Sequence, residues 1–113
     1  MRAAVLALAA MLALWAAPPV AAAADAGTAA SGRDLFLAKC GKCHLEGGTG
    51  TFMLGRRLGK DKALLQERTD LNPTYIHRAV RHGVNSMPWF TPVELPDADL
   101  AAIAAYLTRT NRP

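Results

Sequence analysis

The sequence predicts a small all-α domain that depends on a cofactor. Three observations carry this. No run of alternating apolar and polar residues is long enough for a paired strand. Apolar residues recur at helical spacing, as at Leu100, Ile103, Ala104 and Leu107, with helix boundary signals beside them. The 113 residues also divide into an apolar leader and a modest remainder. Met1 to Ala24 holds 21 hydrophobic residues out of 24, and the remainder is short for a core that must stand unaided.

The leader opens with one charge at Arg2. It runs from Ala3 to Ala17 without a polar side chain, breaks at Pro18-Pro19 and ends in the small residues Ala21 to Ala24. That order is a secretory signal peptide, expected over residues 1–24 with cleavage after Ala24. Its apolar run of about 15 residues falls short of the roughly 20 that span a bilayer, so no stable membrane anchor is expected. The destination is the periplasm, with residues 25–30 as a flexible lead and 31–113 as one domain. Without Arg2, 12 basic residues face nine acidic ones, a net charge of +3. That balance lacks the dense basic stripe of a nucleic-acid binder.

Ser31, with Asp34 three residues on, offers the cap of a first helix whose apolar side is Leu35, Phe36 and Cys40. Lys60 to Glu67 reads as a short helix around Leu64 and Leu65. Asn72-Pro73 is a cap followed by proline at the first helical position. The helix it starts should bury Tyr75, Ile76, Ala79 and Val80 and close at Gly83. Its remaining face, with His77, Arg78, Arg81 and His82, is expected in solvent. A last helix starts near Pro96-Asp97, and Ala101, Ala102 and Ala105 are small enough for another helix to approach closely. Phe36, Tyr75, Phe90 and Tyr106 are expected to pack in the core or against a cofactor.

Only two cysteines are present, and they fall in the run Cys40-Gly41-Lys42-Cys43-His44. This is the C-x-x-C-H signature of covalent haem attachment. The two thiols add across the two haem vinyl groups, and the adjacent imidazole reaches the iron. A zinc site lacks a second ligand pair, and a thioredoxin-like redox pair lacks its βαβ context. One haem c, held through Cys40 and Cys43 with His44 on the iron, is therefore expected. Met53, Met87, His77 and His82 are the candidates for the sixth position. Met87 is the first choice, because Pro88 stiffens its loop and restricts its backbone to extended angles. Met53, beside Phe52 and Leu54 in a loop, reads as core packing. A bis-His pair and an open sixth position are the alternatives. Trp89 is a candidate donor to a haem propionate, and Asn85 or Ser86 to the Met87 sulfur.

These residues resemble class I c-type cytochromes. The resemblance rests on Cys40–His44, on Met87-Pro88 and on the terminal run Leu100 to Leu107, and extends from Gly32 to Arg109. It implies a cytochrome c fold of about four helices wrapped round one haem, with His44 and Met87 as axial ligands. It also implies that the first and last helices cross, using Gly32, Phe36 and Tyr106. The chain departs from the family at Thr51. Many members have proline there, and its carbonyl accepts the proximal histidine's Nδ1 hydrogen; the Thr51 carbonyl is expected to take that role. The charged stretch Gly59 to Asp70 is longer than in the smallest members.

The function implied is a periplasmic one-electron carrier cycling between ferric and ferrous iron, and not an enzyme. Its partners are redox proteins, with Lys39, Lys42, Arg56 and Arg57 as a basic rim for an acidic one. Two alternatives stand beside it. The run from Met87-Pro88-Trp89-Phe90 to Tyr106-Leu107 is similar to cytochrome subunits of flavoprotein dehydrogenases and hydroxylases. An open sixth position would instead make a haem sensor or enzyme.

Overall fold

A computed structural model describes residues 24–111, with side chains from 31 to 110. The expected signal segment, apart from Ala24, lies outside the described residues. The helices are α1 (Ala24–Lys39), α2 (Gly41–His44), α3 (Thr49–Leu58), α4 (Pro73–His82) and α5 (Asp97–Leu107). Short 3-10 turns cover Lys60–Lys62, Leu65–Glu67 and Arg109–Asn111. Among the described residues there is no strand, only an isolated antiparallel bridge between Val84 and Met87. No described helix is long and apolar enough to cross a membrane.

The first and last helices cross, and glycine permits it. A Cβ on the buried Gly32 would run into the Ala102 carbonyl and stand 3.1 Å from Tyr106 Cβ. One turn on, the Phe36 and Tyr106 rings meet at 5.8 Å between centroids, tilted by 44°. Phe36, Leu95, Leu100 and Ile103 are fully buried, and Leu71, Ile76, Val80 and Leu107 surround them. Burying each such side chain contributes about 1.5–3 kcal/mol before the entropy of ordering the chain is subtracted. The core is thus a seam between α1, α4 and α5, with α2 and α3 laid along one side.

Local chemistry explains the boundaries. Asn72 caps α4, its side-chain oxygen accepting from the Tyr75 N–H at 2.8 Å, with Pro73 at the first turn. Gly83, at φ 72°, ends that helix and returns its N–H to the Ala79 carbonyl at 2.8 Å. Pro96 precedes α5, and Asp97 and Asp99 place negative charge in its first turn.

Four expectations are corrected. Helix α1 starts at Ala24, so Ser31 lies inside it and the backbone of residues 25–30 is helical. The four alanines among Ala24 to Ala30 are strong helix formers and carry the helix past the expected cap. Phe52, Met53 and Leu54, read as loop, lie in helix α3, which opens after Gly48 and closes at Gly59, φ 102°. Lys60 to Glu67 makes two separate 3-10 turns and not one helix. Tyr75, expected to be buried, is 50% exposed.

Candidate functional site

The Cys40-Gly41-Lys42-Cys43-His44 run begins where α1 ends. The Cys40 N–H still bonds back to the Phe36 carbonyl at 2.8 Å, and the Cys40 carbonyl accepts from Cys43 (3.1 Å) and His44 (3.0 Å). Cys40 therefore serves as the N-cap residue of the single turn α2, which sets Cys43 and His44 one turn on. Two glycines close over this turn. A Cβ on Gly48 would strike the Cys43 carbonyl, and one on Gly50 would stand 2.8 Å from that same oxygen.

The Met87 side of the site comes from a tight turn after α4. The Met87 N–H donates to the Val84 carbonyl at 2.9 Å, and Asn85 takes a left-handed φ of 54°. Asparagine tolerates that region better than most residues. A Cβ on Gly83 would lie 2.6 Å from the Met87 carbonyl oxygen, so only glycine allows the turn this close.

Between these two walls lies a cavity of about 480 Å³. Cys40, Cys43, His44 and Met87 all line it. Its floor is apolar, with Phe36, Leu71, Ile76, Val80, Ile103 and Leu107 contributed by α1, α4, α5 and the loop before α4. Met53 and Tyr75 also line it. Met53, expected in the core, is 44% exposed and belongs to the cavity rim.

The titratable groups are set by burial. Burial lowers the His44 pKa, so its imidazole is neutral at pH 7, the form that donates to a metal. Burial, and then Cys43, push the Cys40 thiol up to about 11. The His44 Nδ1 is buried and has no hydrogen-bond partner. Thr51 does not supply the expected carbonyl. It sits in the first turn of α3, and its hydroxyl donates to the Leu45 carbonyl at 2.8 Å.

Two arginines, Arg57 and Arg68, line this largely apolar space, and sequence reasoning gave a role to Arg57 only as surface charge. Arg68, which it missed, is only 10% exposed in its side chain. Its Nε and Nη2 bind the two Asp70 oxygens at 2.8 and 3.1 Å, and Lys62 reaches Asp70 at 2.9 Å. Hydrogen bonds from Arg68 and then Lys62 hold the Asp70 carboxyl well below the usual range. The available signal was the charge pattern Lys62, Arg68, Asp70 on a segment that must pass the cavity.

A family model described as cytochrome c oxidase, cbb3-type, subunit III matches residues 27–107. The chain belongs to this family. It is a class I c-type cytochrome domain with one haem, and an electron-transfer protein. No solved structure matches it.

The cytochrome's own residues fit that group. The cavity is apolar where the porphyrin needs it to be. A neutral imidazole with a free Nδ1 faces a glycine that leaves its ring room. Two guanidinium groups offer partners for the two haem carboxylates. Trp89 is 62% exposed beside Pro88, which lines the cavity; among the described residues neither Asn85 nor Ser86 bonds the Met87 sulfur, although both line the cavity.

Proposed function

We propose that this cytochrome is a periplasmic one-electron carrier, exported by residues 1–24. In this reading Cys40 and Cys43 hold one haem c by thioether bonds, and His44 and Met87 are its axial ligands. The observation that carries the reading is the convergence of all four side chains on one apolar cavity. The haem, when bound, supplies a one-electron Fe(III)/Fe(II) couple.

The chain's residues do the rest. Cys40 and Cys43 fix one edge of the ring plane. Burial favours the neutral form of His44, and because its Nδ1 is enclosed by protein, Nε2 is the ring nitrogen left to donate into the cavity. Met87, which lines the same cavity, would hold the haem as its second ligand and leave no site open to a substrate; thioether donation would favour the reduced state over a bis-His pair. Ile76, Val80 and Ile103 exclude water, lowering the local dielectric and favouring the less charged ferrous state. Arg57 and Arg68 would stand on the cavity wall as cations for the haem carboxylates, Arg68 already sharing its charge with Asp70.

Lys39 and Lys42 are exposed beside and on the turn that carries the exposed Cys43, and Arg56 and Arg57 are exposed in the last turn of α3. This surface suits an acidic redox partner, and association should slow as ionic strength rises.

A visible spectrum with a redox titration of the purified mature protein tests the proposal. The expected result is red protein that keeps its haem after acid–solvent extraction. Its ferric form should show the weak red band of thioether-ligated iron, and Met87→Ala should abolish it. Colour lost on extraction would overturn covalent attachment. Absence of the band, with rapid carbon monoxide binding by the ferrous protein, would overturn the carrier in favour of an open-site sensor or enzyme.

A further inference from the structure

Arg81 departs from the other polar residues of α4. His77 and Arg78 are exposed, as expected, but the Arg81 side chain is only 10% exposed. Its guanidinium donates to the Phe90 carbonyl at 3.1 Å, to the Leu95 carbonyl at 2.9 Å and to the Asp97 carboxylate. These acceptors lie along the segment that leads the chain away from Met87. Phe90 comes three residues after Met87, Leu95 is buried in the core, and Asp97 opens α5. Phe90 is held twice, since its N–H also donates to the Val80 carbonyl of α4 at 2.8 Å. Between Met87 and Phe90 the chain has little else to hold it. Pro88 has no N–H, and Trp89 is exposed.

We infer that Arg81 is a positioning residue for Met87, clamping residues 90–97 onto α4 and so keeping the thioether at the cavity. The inference rests on reading Met87 as the sixth ligand. A thioether is a weak donor to iron, so the fraction of molecules with Met87 in place depends on how tightly its loop is confined. The turn before Met87 is confined by Gly83 and by the bond to Val84. Arg81 confines the chain after it, with three bonds from one cation, each stronger than a neutral pair. Lysine, a single point charge, cannot span three acceptors in this way.

The test is an imidazole titration of the ferric, haem-loaded mature protein, because imidazole competes with Met87 for the iron. Wild type, Arg81→Met, Met87→Ala and the double variant are compared. Arg81→Met keeps the apolar stem and removes the fork. It should bind imidazole about 10- to 100-fold more tightly than wild type and weaken the red thioether band. In the Met87→Ala background the same Arg81 substitution should change imidazole affinity by less than about twofold, because no thioether remains to be positioned. An Arg81 effect of equal size in both backgrounds, or none in either, overturns the inference. Wild type that binds imidazole as tightly as Met87→Ala overturns the ligand assignment itself, and is recognised before any Arg81 variant is made. If Arg81→Met does not fold, Arg81→Lys carries the same comparison, with an effect between wild type and the full loss.

Discussion

Gly50 lies against the edge of His44: a Cβ there would stand 2.9 Å from His44 Cε1 and 3.0 Å from Nδ1. Two effects of Gly50→Ala oppose each other. Alanine in a helix is favoured over glycine by up to about 1 kcal/mol. A buried clash with a ring and with the Cys43 carbonyl costs about 1–3 kcal/mol. The clash wins, so Gly50→Ala should unfold at lower denaturant concentration and shift the spectrum of the ferric protein. A variant more stable than wild type would show that the His44 ring has room to move.

Gly32→Ala tests the crossing of α1 and α5. Its methyl has no space beside the Ala102 carbonyl, and backbone cannot swing aside as a flexible side chain does. A loss of about 2–3 kcal/mol in chemical denaturation is expected. Phe36→Ala, which empties a fully buried site, should cost about 3–5 kcal/mol.

The two cysteines should react unequally in the haem-free protein. Cys43 is exposed, whereas Cys40 is partly buried with its thiol raised from 9.0 to about 11. That shift cuts the Cys40 thiolate at neutral pH by about 100-fold, and the thiolate is the nucleophile. In folded apo-protein, iodoacetamide should therefore label Cys43 first, as read by peptide mass mapping. Urea should bring the two rates together. Equal labelling in the folded state would mean that the Cys40 environment is open.

Acid should weaken the fold through three carboxylates. Arg68 and then Lys62 lower the Asp70 pKa; the Thr91 N–H and then its hydroxyl lower that of Glu94; Arg81 lowers that of Asp97. All three are depressed in the folded state, so the unfolded chain takes up protons first as pH falls. Stability present above about pH 4 should be lost below it. Melting temperature measured from pH 7 to pH 2 should show this fall. Asp70→Asn should flatten part of it, at about 1 kcal/mol or less at neutral pH because the pair is open to water. An unchanged acid slope in Asp70→Asn would exclude Asp70 from the effect.

The features legible in the sequence were those encoded locally. Asn72, Pro73 and Gly83 bound α4 by their own chemistry, and the expected boundaries hold. The helix crossing was anticipated from the family, and Gly32, Phe36 and Tyr106 meet there. Helix α3 was missed because glycines at 48, 50, 55 and 59 suggest a loop, while Phe52, Met53 and Leu58 stay exposed and give no buried stripe. Its purpose lies in what it sets beside His44, which no local pattern reports. Arg81 was expected in solvent beside Arg78 because both are arginines on one amphipathic helix. Which of them turns inward is decided by carbonyls of Phe90 and Leu95, supplied by chain that comes later.

The pairing of α1 with α5 also bears on the order of assembly. Gly32 and Phe36 lie just before the C-x-x-C-H run, yet their partners Ala102 and Tyr106 come some 70 residues later in the chain. A chain threaded out from its N-terminus presents Cys40, Cys43 and His44 while the helix that covers Phe36 has yet to emerge. The seam cannot seal until α5 has been made, so both thiols are present in the chain before the helix that covers Phe36. Contacts so distant along the chain also form late in folding, after the entropy of closing a long loop has been overcome.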